Sequence, residues 1–249
     1  MKNIAIIAGG NSSEYEVSMK SGKNIYDEVD ETRYNKYLVV LKERDWHVEI
    51  GEEKFPVDKN DFSFTRNGEK ILFDFAYITI HGVPGENGLL QGYLDMMGVP
   101  YGCCNVLASA LTFDKHTCNT YLKSYGVNVA DSVMLIRGMA YDVNEIINEV
   151  GLPCFVKPNA EGSSFGVTKV KEAAQLEDAL KKAFALCREV LIETFIDGTE
   201  LTCGVVKAGD MDITMPIAEV VPKNEFFDFE AKYDPTKSDE IIPARISPE

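Results

Sequence analysis

The sequence predicts an α/β protein built on a parallel sheet, and three observations support that class. Apolar strand-like segments alternate with helical segments from the first residues onward. Glycine-rich turns follow the first and third predicted strands, where the chain must pass sharply into a helix. The 249 residues, 45% of them hydrophobic and 26% charged, are enough for one large or two modest domains.

The first region contains the βα alternation. Its predicted strands are residues 3–8, 36–41, 74–80 and 99–101, and its predicted helices are 13–29, 88–97 and 104–112. Gly98 is typical of the residue just past a helix end.

The second region mixes helices with antiparallel strands. Its predicted helices are residues 115–124, 141–149 and 172–187, and its strands are 132–136, 153–157, 166–171, 190–194, 200–206 and 212–221. This change of pattern places a domain boundary near residue 102, with a further subdivision near residue 193.

Charge and composition exclude several classes of function. The net charge of -15 argues against nucleic acid and anionic membrane as partners, because both attract clustered positive charge. The apolar stretch at the start is too short for a signal peptide or a spanning helix, so we expect a cytoplasmic protein. The six cysteines lack metal-ligand spacing, and we expect them to be reduced and mostly buried: residues 103, 104, 118, 154, 187 and 203.

The segment AGGNSSEYEVS, residues 8–18, joins the first strand to the first helix. Ser13 and Glu16 have the spacing of a capping box. Glu14 has two interpretations: a carboxylate favoured by the helix dipole, or a ligand for a cationic group in the crevice at the carboxyl end of the sheet. The segment lacks GxGxxG, so it does not indicate a dinucleotide site.

The segment ITIHGVPGENGLLQG, residues 78–92, is a second strand, glycine-rich turn and helix. His81 stands at the carboxyl end of its strand and, taken alone, is more often structural. We expect this loop and the one after the first strand to open onto the same edge, with backbone amides available to a ligand.

Two lysines of the second region lie where a predicted helix begins and where a predicted strand ends. Lys115 follows Asp114 at a helix start, where a cation opposes the helix dipole, so it is either a solvated lysine or the partner of an anion. Lys157 ends the apolar run CFVK and precedes a loop with Glu161, Ser163 and Ser164. This loop resembles a phosphate cover but is not a P-loop, because GxxxxGK[ST] is absent.

Further downstream, polar residues follow apolar strands. VLIETFIDGTE, residues 190–200, carries Glu193 and Glu200, and EFFDFEAKYDP, residues 225–235, carries Lys232 and Tyr233. An acidic chain that binds a polyphosphate must gather positive charge locally. Lys115, Lys157 and Lys232 are the candidates.

Six motifs together resemble the D-alanine:D-alanine ligases of bacterial cell-wall synthesis, members of the ATP-grasp superfamily. They are GGNSSEYEVS, HGVPGENGLLQG, SALTFDKHT, VKPNAEGSSFGVTKV, VLIETFIDGTELT and FFDFEAKYDP, and the resemblance runs from residue 3 to residue 247. One departure is Asn87, where the family motif usually has Asp. The resemblance implies a pre-ATP-grasp domain (1–102), a lid domain (103–193) and the start of the large ATP-grasp domain (194–249).

The resemblance also implies roles. ATP would phosphorylate one D-alanine, and the amine of a second would attack the acyl phosphate, for peptidoglycan synthesis. Glu14, with His81 nearby, would bind the first D-alanine, and Ser163 and Tyr233 would form a hydrogen-bonded catalytic triad with Glu14. The implied ATP-binding residues are Lys115, Lys157, Glu161, Ser164, Glu193, Ile196, Glu200 and Lys232.

Magnesium or manganese is the expected metal, and the resemblance places its ligands beyond residue 249. We therefore expect a truncated ligase, inactive as this chain alone, with no strand in residues 239–249. A homodimer is kept as a candidate assembly. Two alternatives stay open: another ATP-grasp ligase joining a different carboxylate and amine, and a catalytically incomplete nucleotide-binding module.

Overall fold

The computed structural model describes residues 1–223, 232, 234 and 236–247. The chain forms two compact units, Met1–Cys118 and Asn119–Glu249, and each has its own hydrophobic core. The predicted divisions near residues 102 and 193 differ from this boundary and stay predictions. Among the described residues, no helix is both long and apolar enough to cross a membrane.

Unit 1 (Met1–Cys118) is built on a mixed sheet. Its strands are β1 (Lys2–Gly9), β2 (Tyr34–Lys42), β3 (Asp45–Ile50), β4 (Glu53–Asp58), β5 (Ser63–Arg66), β6 (Glu69–Leu72) and β7 (Phe75–Ile78). They form one seven-stranded sheet in the order β6-β5-β4-β3-β2-β1-β7. β1 pairs parallel with both β2 and β7, as predicted. The unpredicted strands β3 to β6 extend the sheet in antiparallel fashion.

Helices lie on both faces of this sheet, and the third helix of the unit packs against the second. They are α1 (Tyr15–Glu28), α2 (Leu89–Met97) and α3 (Val106–Phe113), and α4 (Lys115–Ser124) crosses the boundary between the units. Alternation along β1 places Ile7 in one core cluster with Leu90 and Leu94 of α2. On the other face, Ala8 meets α1 at Gly22, where an added Cβ would lie 2.6 Å from the Ala8 Cβ. The chain thus forms three layers at this point.

Unit 2 (Asn119–Glu249) contains shorter, antiparallel sheets. Its helices are α5 (Val143–Val150) and α6 (Leu176–Leu186), and its strands are β8 (Ser132–Ile136), β9 (Cys154–Pro158), β10 (Thr168–Val170), β11 (Glu189–Thr194), β12 (Glu200–Thr202), β13 (Val205–Ala208), β14 (Met211–Thr214), β15 (Ala218–Pro222) and β16 (Ser238–Ile241). The described strands pair as β10-β9-β11-β8, β12-β15-β16 and β13-β14.

Alternation along β9 and β11 separates the core side of this sheet in unit 2 from its open face. Val156 of β9 and Ile192 of β11 lie in the core cluster with residues of α5 and α6. Phe155, Lys157 and Glu193 alternate with these core residues, so their side chains project from the opposite face. The predicted site residues of this sheet therefore share one surface.

Several sequence predictions need correction. All six predicted helices are present, but residues 99–101 form only an isolated bridge between Tyr101 and Ala76. The expectation of no strand in 239–249 is wrong, because Ser238–Ile241 pairs with β15. The cysteines are unpaired as expected, yet only Cys154 is buried. The others lie in loops, at the end of α6 and within α4, where their side chains remain partly or fully in contact with water.

Candidate active site

The turn after β1 is held against the rest of unit 1 by backbone hydrogen bonds. The Gly10 N–H donates to the Leu41 carbonyl oxygen at 2.7 Å, and the Asn11 N–H donates to the Val83 carbonyl oxygen at 2.8 Å. Gly10 has φ +97°, and an added Cβ would lie 2.6 Å from Cγ2 of Ile80. Glycine is therefore required here for both conformation and space.

Glu14 lies at the end of this turn, immediately before α1. Only 3% of its surface is exposed, and its Oε1 is 4.0 Å from Nδ1 of His81. A helix N-terminus is a favourable position for a negatively charged side chain. Glu14 and His81 are thus brought together at the carboxyl end of β1 and β7, as the sequence predicted.

The predicted capping box of Ser13 and Glu16 is wrong. The helix begins at Tyr15, with Glu14 at the N-cap position. Ser12 is the serine that bonds: its Oγ accepts from the Glu14 N–H at 3.2 Å and donates to the His81 carbonyl oxygen at 2.7 Å. The turn is therefore tied to the loop after β7, and the helix starts one residue later than the capping box requires.

The glycine-rich loop after β7 uses several of its polar groups internally. The Gly82 N–H donates to Oε2 of Glu86 at 2.8 Å, and the Glu86 N–H donates to the Gly82 carbonyl oxygen at 2.8 Å. Asn87 accepts from the Leu89 N–H at 3.3 Å through its Oδ1. The predicted availability of backbone amides to a ligand therefore does not extend to Gly82 and Glu86.

Lys157 and Glu193 form an ion pair on the open face of the β9–β11 sheet. Their side chains are 22% and 10% exposed, so the pair is largely removed from water. Asn119 of α4 donates from Nδ2 to Oε1 of Glu193 at 2.9 Å. The Glu193 carboxylate therefore has a partner on each oxygen and a fixed orientation.

A cleft of about 520 Å³ opens beside this sheet, entirely within unit 2. Its lining includes two predicted site residues, Ile196 and Glu200, together with Phe155, Phe195 and Glu219. Desolvation raises the pKa of the Glu200 carboxyl, and the positive charge of Lys232 acts in the opposite direction. The cleft has the volume expected for a small-molecule site, about 300–1,000 Å³.

Two aromatic rings form one wall of this cleft. The centroids of Phe155 and Phe195 are 6.0 Å apart with an interplanar angle of 51°. Both rings are partly buried. They offer an apolar, π-rich surface on which a planar heterocycle can stack.

The loop between β9 and β10 carries the predicted phosphate-covering residues Glu161, Ser163 and Ser164. Ser163 and Ser164 have φ of 50° and 56°, both in the left-handed region that serine rarely adopts. At the base of the loop, Asn159 is fully buried and donates through Nδ2 to Oε2 of Glu189 at 3.2 Å. The loop thus leaves the sheet from an anchored position.

Three predicted site residues remain: Lys115, Lys232 and Tyr233. Lys115 is the first residue of α4, and Asp114 caps that helix by accepting from the Thr117 N–H at 2.8 Å, as predicted. Lys232 is exposed. Tyr233 lies outside the described residues.

Glu219 in the cleft wall forms an ion pair with Arg245. It accepts from Arg245 Nε at 2.9 Å and Nη2 at 2.7 Å, and from the Arg245 backbone N–H at 3.1 Å. These bonds lower the pKa of the Glu219 carboxyl from 4.5 to about 2. Arg245 thereby fastens the last described segment to β15.

No metal centre is evident in the described part of the chain: none of its His, Cys, Asp and Glu side chains form a group of three or more able to hold an ion. These residues therefore do not fit a magnesium ion by themselves. The expectation of ligands beyond residue 249 stays a prediction.

Together, the layered first unit and the second unit's cleft beside a buried lysine–glutamate pair define an α/β protein with a nucleotide-sized binding site. The chain belongs to the D-Ala-D-Ala ligase family. Residues 3–104 match the model described as D-ala D-ala ligase N-terminus, and residues 121–249 match D-ala D-ala ligase C-terminus.

Individual relatives agree with this assignment. A D-alanine–D-alanine ligase of Bacteroides fragilis (strain YCH46) is 53% identical over 249 residues, covering 100% of this chain and 76% of the relative. The structure of D-alanyl-alanine synthetase A from Vibrio cholerae has a TM-score of 0.86 and 25% identity, covering 99% of this chain and 76% of that one. The structure of a Bacillus anthracis D-alanine–D-alanine ligase complexed with ATP has a TM-score of 0.72 and 27% identity, and the match covers 97% of this chain and 70% of that one. These likenesses confirm the predicted fold class.

Proposed function

We propose that the protein joins two D-alanine molecules into D-alanyl-D-alanine, with conversion of ATP to ADP and phosphate, as a step of peptidoglycan synthesis. Family membership supports the reaction. The observation that carries it is the Lys157–Glu193–Asn119 cluster on the open sheet face of unit 2. It combines a cation for phosphate with an oriented carboxylate for the base.

The nucleotide would occupy the 520 Å³ cleft. Each Glu193 oxygen has a second lone pair left after bonding Lys157 or Asn119, so the carboxylate can accept from the exocyclic amine of adenine. The backbone near Ile196 is suited to the ring edge of the base. Glu200, on the cleft wall, is suited to the ribose hydroxyls.

The phosphates would be neutralised by lysines. Lys157 lies on the cleft-side face of β9, and we assign Lys115 and Lys232 to the same task, with Glu161 and Ser164 in the covering loop. Phosphoryl transfer depends mainly on positioning and on charge neutralisation, which lysines supply. Because the described residues do not fit a metal ion, the roles assigned here belong to side chains alone.

The first D-alanine would bind in unit 1. Its ammonium would pair with the buried Glu14 carboxylate, beside His81. Its carboxylate oxygen attacks the γ-phosphorus of ATP, ADP leaves, and an acyl phosphate forms. The free amine of the second D-alanine then attacks the carbonyl carbon, and phosphate leaves as the tetrahedral intermediate collapses. Ser163 and Tyr233 are assigned to loop closure, which would keep water from the acyl phosphate.

Product analysis tests the proposal and separates the alternatives. The protein is incubated with ATP and D-alanine, L-alanine or no amino acid, and both phosphate and dipeptide are measured. With D-alanine only, the proposed reaction gives phosphate and D-alanyl-D-alanine in equal amounts, and dipeptide formed by the 249-residue chain would overturn the expectation that this chain alone is inactive. A different ATP-grasp ligase would release phosphate with another amino acid, and a nucleotide-binding module would bind ATP without forming dipeptide in any mixture.

Glu14→Gln tests the assignment of the first subsite. Loss of a hydrogen bond to a charged group costs about 1.5–3 kcal/mol, so we expect the KM for the first D-alanine to rise more than about tenfold. The KM for ATP should change little. Glu16→Gln is the matched control, because Glu16 is an exposed glutamate in the first turn of the same helix. Equal effects on both substrates would remove Glu14 from the subsite.

A further inference from the structure

Lys169 is held against the aromatic wall of the cleft. It lies on β10 directly opposite Phe155 of β9, so the two side chains share one face of the sheet. Its Nζ is 3.9 Å from the ring centroid of Phe195 and 5.9 Å from that of Phe155. Both distances are within the range of cation–π attraction, about 6 Å.

The three side chains come from different parts of unit 2. Phe155 lies in β9, Lys169 in β10, and Phe195 in the segment just after β11. β9 and β10 are paired, whereas Phe195 lies one residue beyond the end of its strand. The cation is therefore a link between the sheet and the segment that continues into the cleft lining at Ile196.

We infer that Lys169 is a positioning residue for the nucleotide base, acting through Phe155 and Phe195. This inference rests on the proposed function, because it takes the cleft as the site of ATP. With the ammonium over the Phe195 ring, the wall is formed before the base arrives. The aromatic side chains then lose less conformational entropy when the base binds, which increases the affinity for the nucleotide.

A simpler role for Lys169 would be direct contact with phosphate, because it follows the phosphate-covering loop in the chain. The two roles predict different ligand dependence. A residue that acts through the aromatic wall affects every ligand with an adenine base. A residue that binds phosphate also affects a polyphosphate without a base.

The test is equilibrium binding to the full 249-residue chain, measured by calorimetry with ATP, ADP and inorganic tripolyphosphate. We expect Lys169→Met to weaken ATP and ADP binding by a similar factor, roughly three- to tenfold, the range of a partly buried cation–π contact. Tripolyphosphate binding should be unchanged. Lys169→Arg retains the cation and should restore ATP binding to within about twofold.

Two further variants make the result decisive. Lys182→Met removes an exposed lysine from α6 and should leave all three ligands unaffected. Phe195→Leu removes the ring but keeps Lys169, and should reproduce the Lys169→Met pattern even if the latter folds poorly. The inference is overturned if Lys169→Met binds ATP like the parent, or if it loses tripolyphosphate affinity equally. If the parent itself fails to bind ATP, the proposed function fails, and the inference with it.

Discussion

Replacing Lys157 by methionine should destabilise unit 2 strongly, because it leaves the Glu193 carboxylate without its cation. Breaking a buried ion pair typically costs about 3–5 kcal/mol. Here the Lys157 side chain is 22% exposed, and Asn119 still donates to Glu193. We therefore expect a smaller loss than that range, about 2–3 kcal/mol in the free energy of unfolding.

A double-mutant cycle isolates the pair from other effects of the substitution. Glu193→Gln removes the opposite charge, so Lys157→Met combined with Glu193→Gln no longer buries an unpaired ion. We expect the double variant to be at least about 1 kcal/mol more stable than the sum of the single losses predicts. The measurement is urea unfolding followed by circular dichroism.

The chain has an internal control for this experiment. Its single tryptophan, Trp46, lies in β3 of unit 1, so tryptophan fluorescence follows that unit. If the stability losses of the two single variants add up to the loss of the double variant within about 0.5 kcal/mol, the two side chains do not interact energetically. A Lys157→Met effect below about 0.5 kcal/mol would also refute the reasoning, because it is the size of an ordinary surface substitution.

Two other expectations concern a close contact and an ion pair. Gly82→Ala places a Cβ 2.7 Å from the Ser12 Cβ at φ +71°, so thermal unfolding should show a larger loss of stability, by about 1–3 kcal/mol, than Gly68→Ala. Gly68 has φ +79° with nothing within 4 Å of its added Cβ, and equal losses would mean that Ser12 moves freely. Glu219→Gln should lower the melting temperature at neutral pH, because Arg245 holds the pKa of Glu219 at about 2 instead of 4.5. A carboxyl group whose pKa is lowered by folding stabilises the folded protein at pH values above its unfolded pKa. The difference in melting temperature between the variant and the parent should therefore shrink as pH falls from about 4.5 towards about 2. A difference independent of pH would contradict it.

The parallel core of unit 1 could be predicted because its strands are continuous apolar runs. Strands β3 to β6 were missed because they are short and carry charged residues on their exposed face. One of their turns was nevertheless predictable. Asn67-Gly68 joins β5 to β6 with φ of 52° and 79°, and this dipeptide is typical of a tight hairpin turn.

The site could be predicted where residues lie on one strand. Phe155 stands two residues before Lys157, so strand alternation alone places both on one face. Asn119 could not be found in this way, because its contact with Glu193 joins residues 74 positions apart. The substrate came from the resemblance of whole motifs, since charge and spacing indicated only a phosphate ligand.

The hydrogen bond between Ser12 and His81 has a consequence for how the protein folds. It spans 69 residues of sequence, and β1 pairs with β7 across a similar separation. β3 to β6, by contrast, pair only with the strands next to them in sequence. Such local hairpins close quickly. Glu14 and His81 therefore meet only after the long loop has closed. In native-state hydrogen exchange, the amide of Asn11, which donates to the Val83 carbonyl oxygen across that closure, should exchange in the slowest class of unit 1.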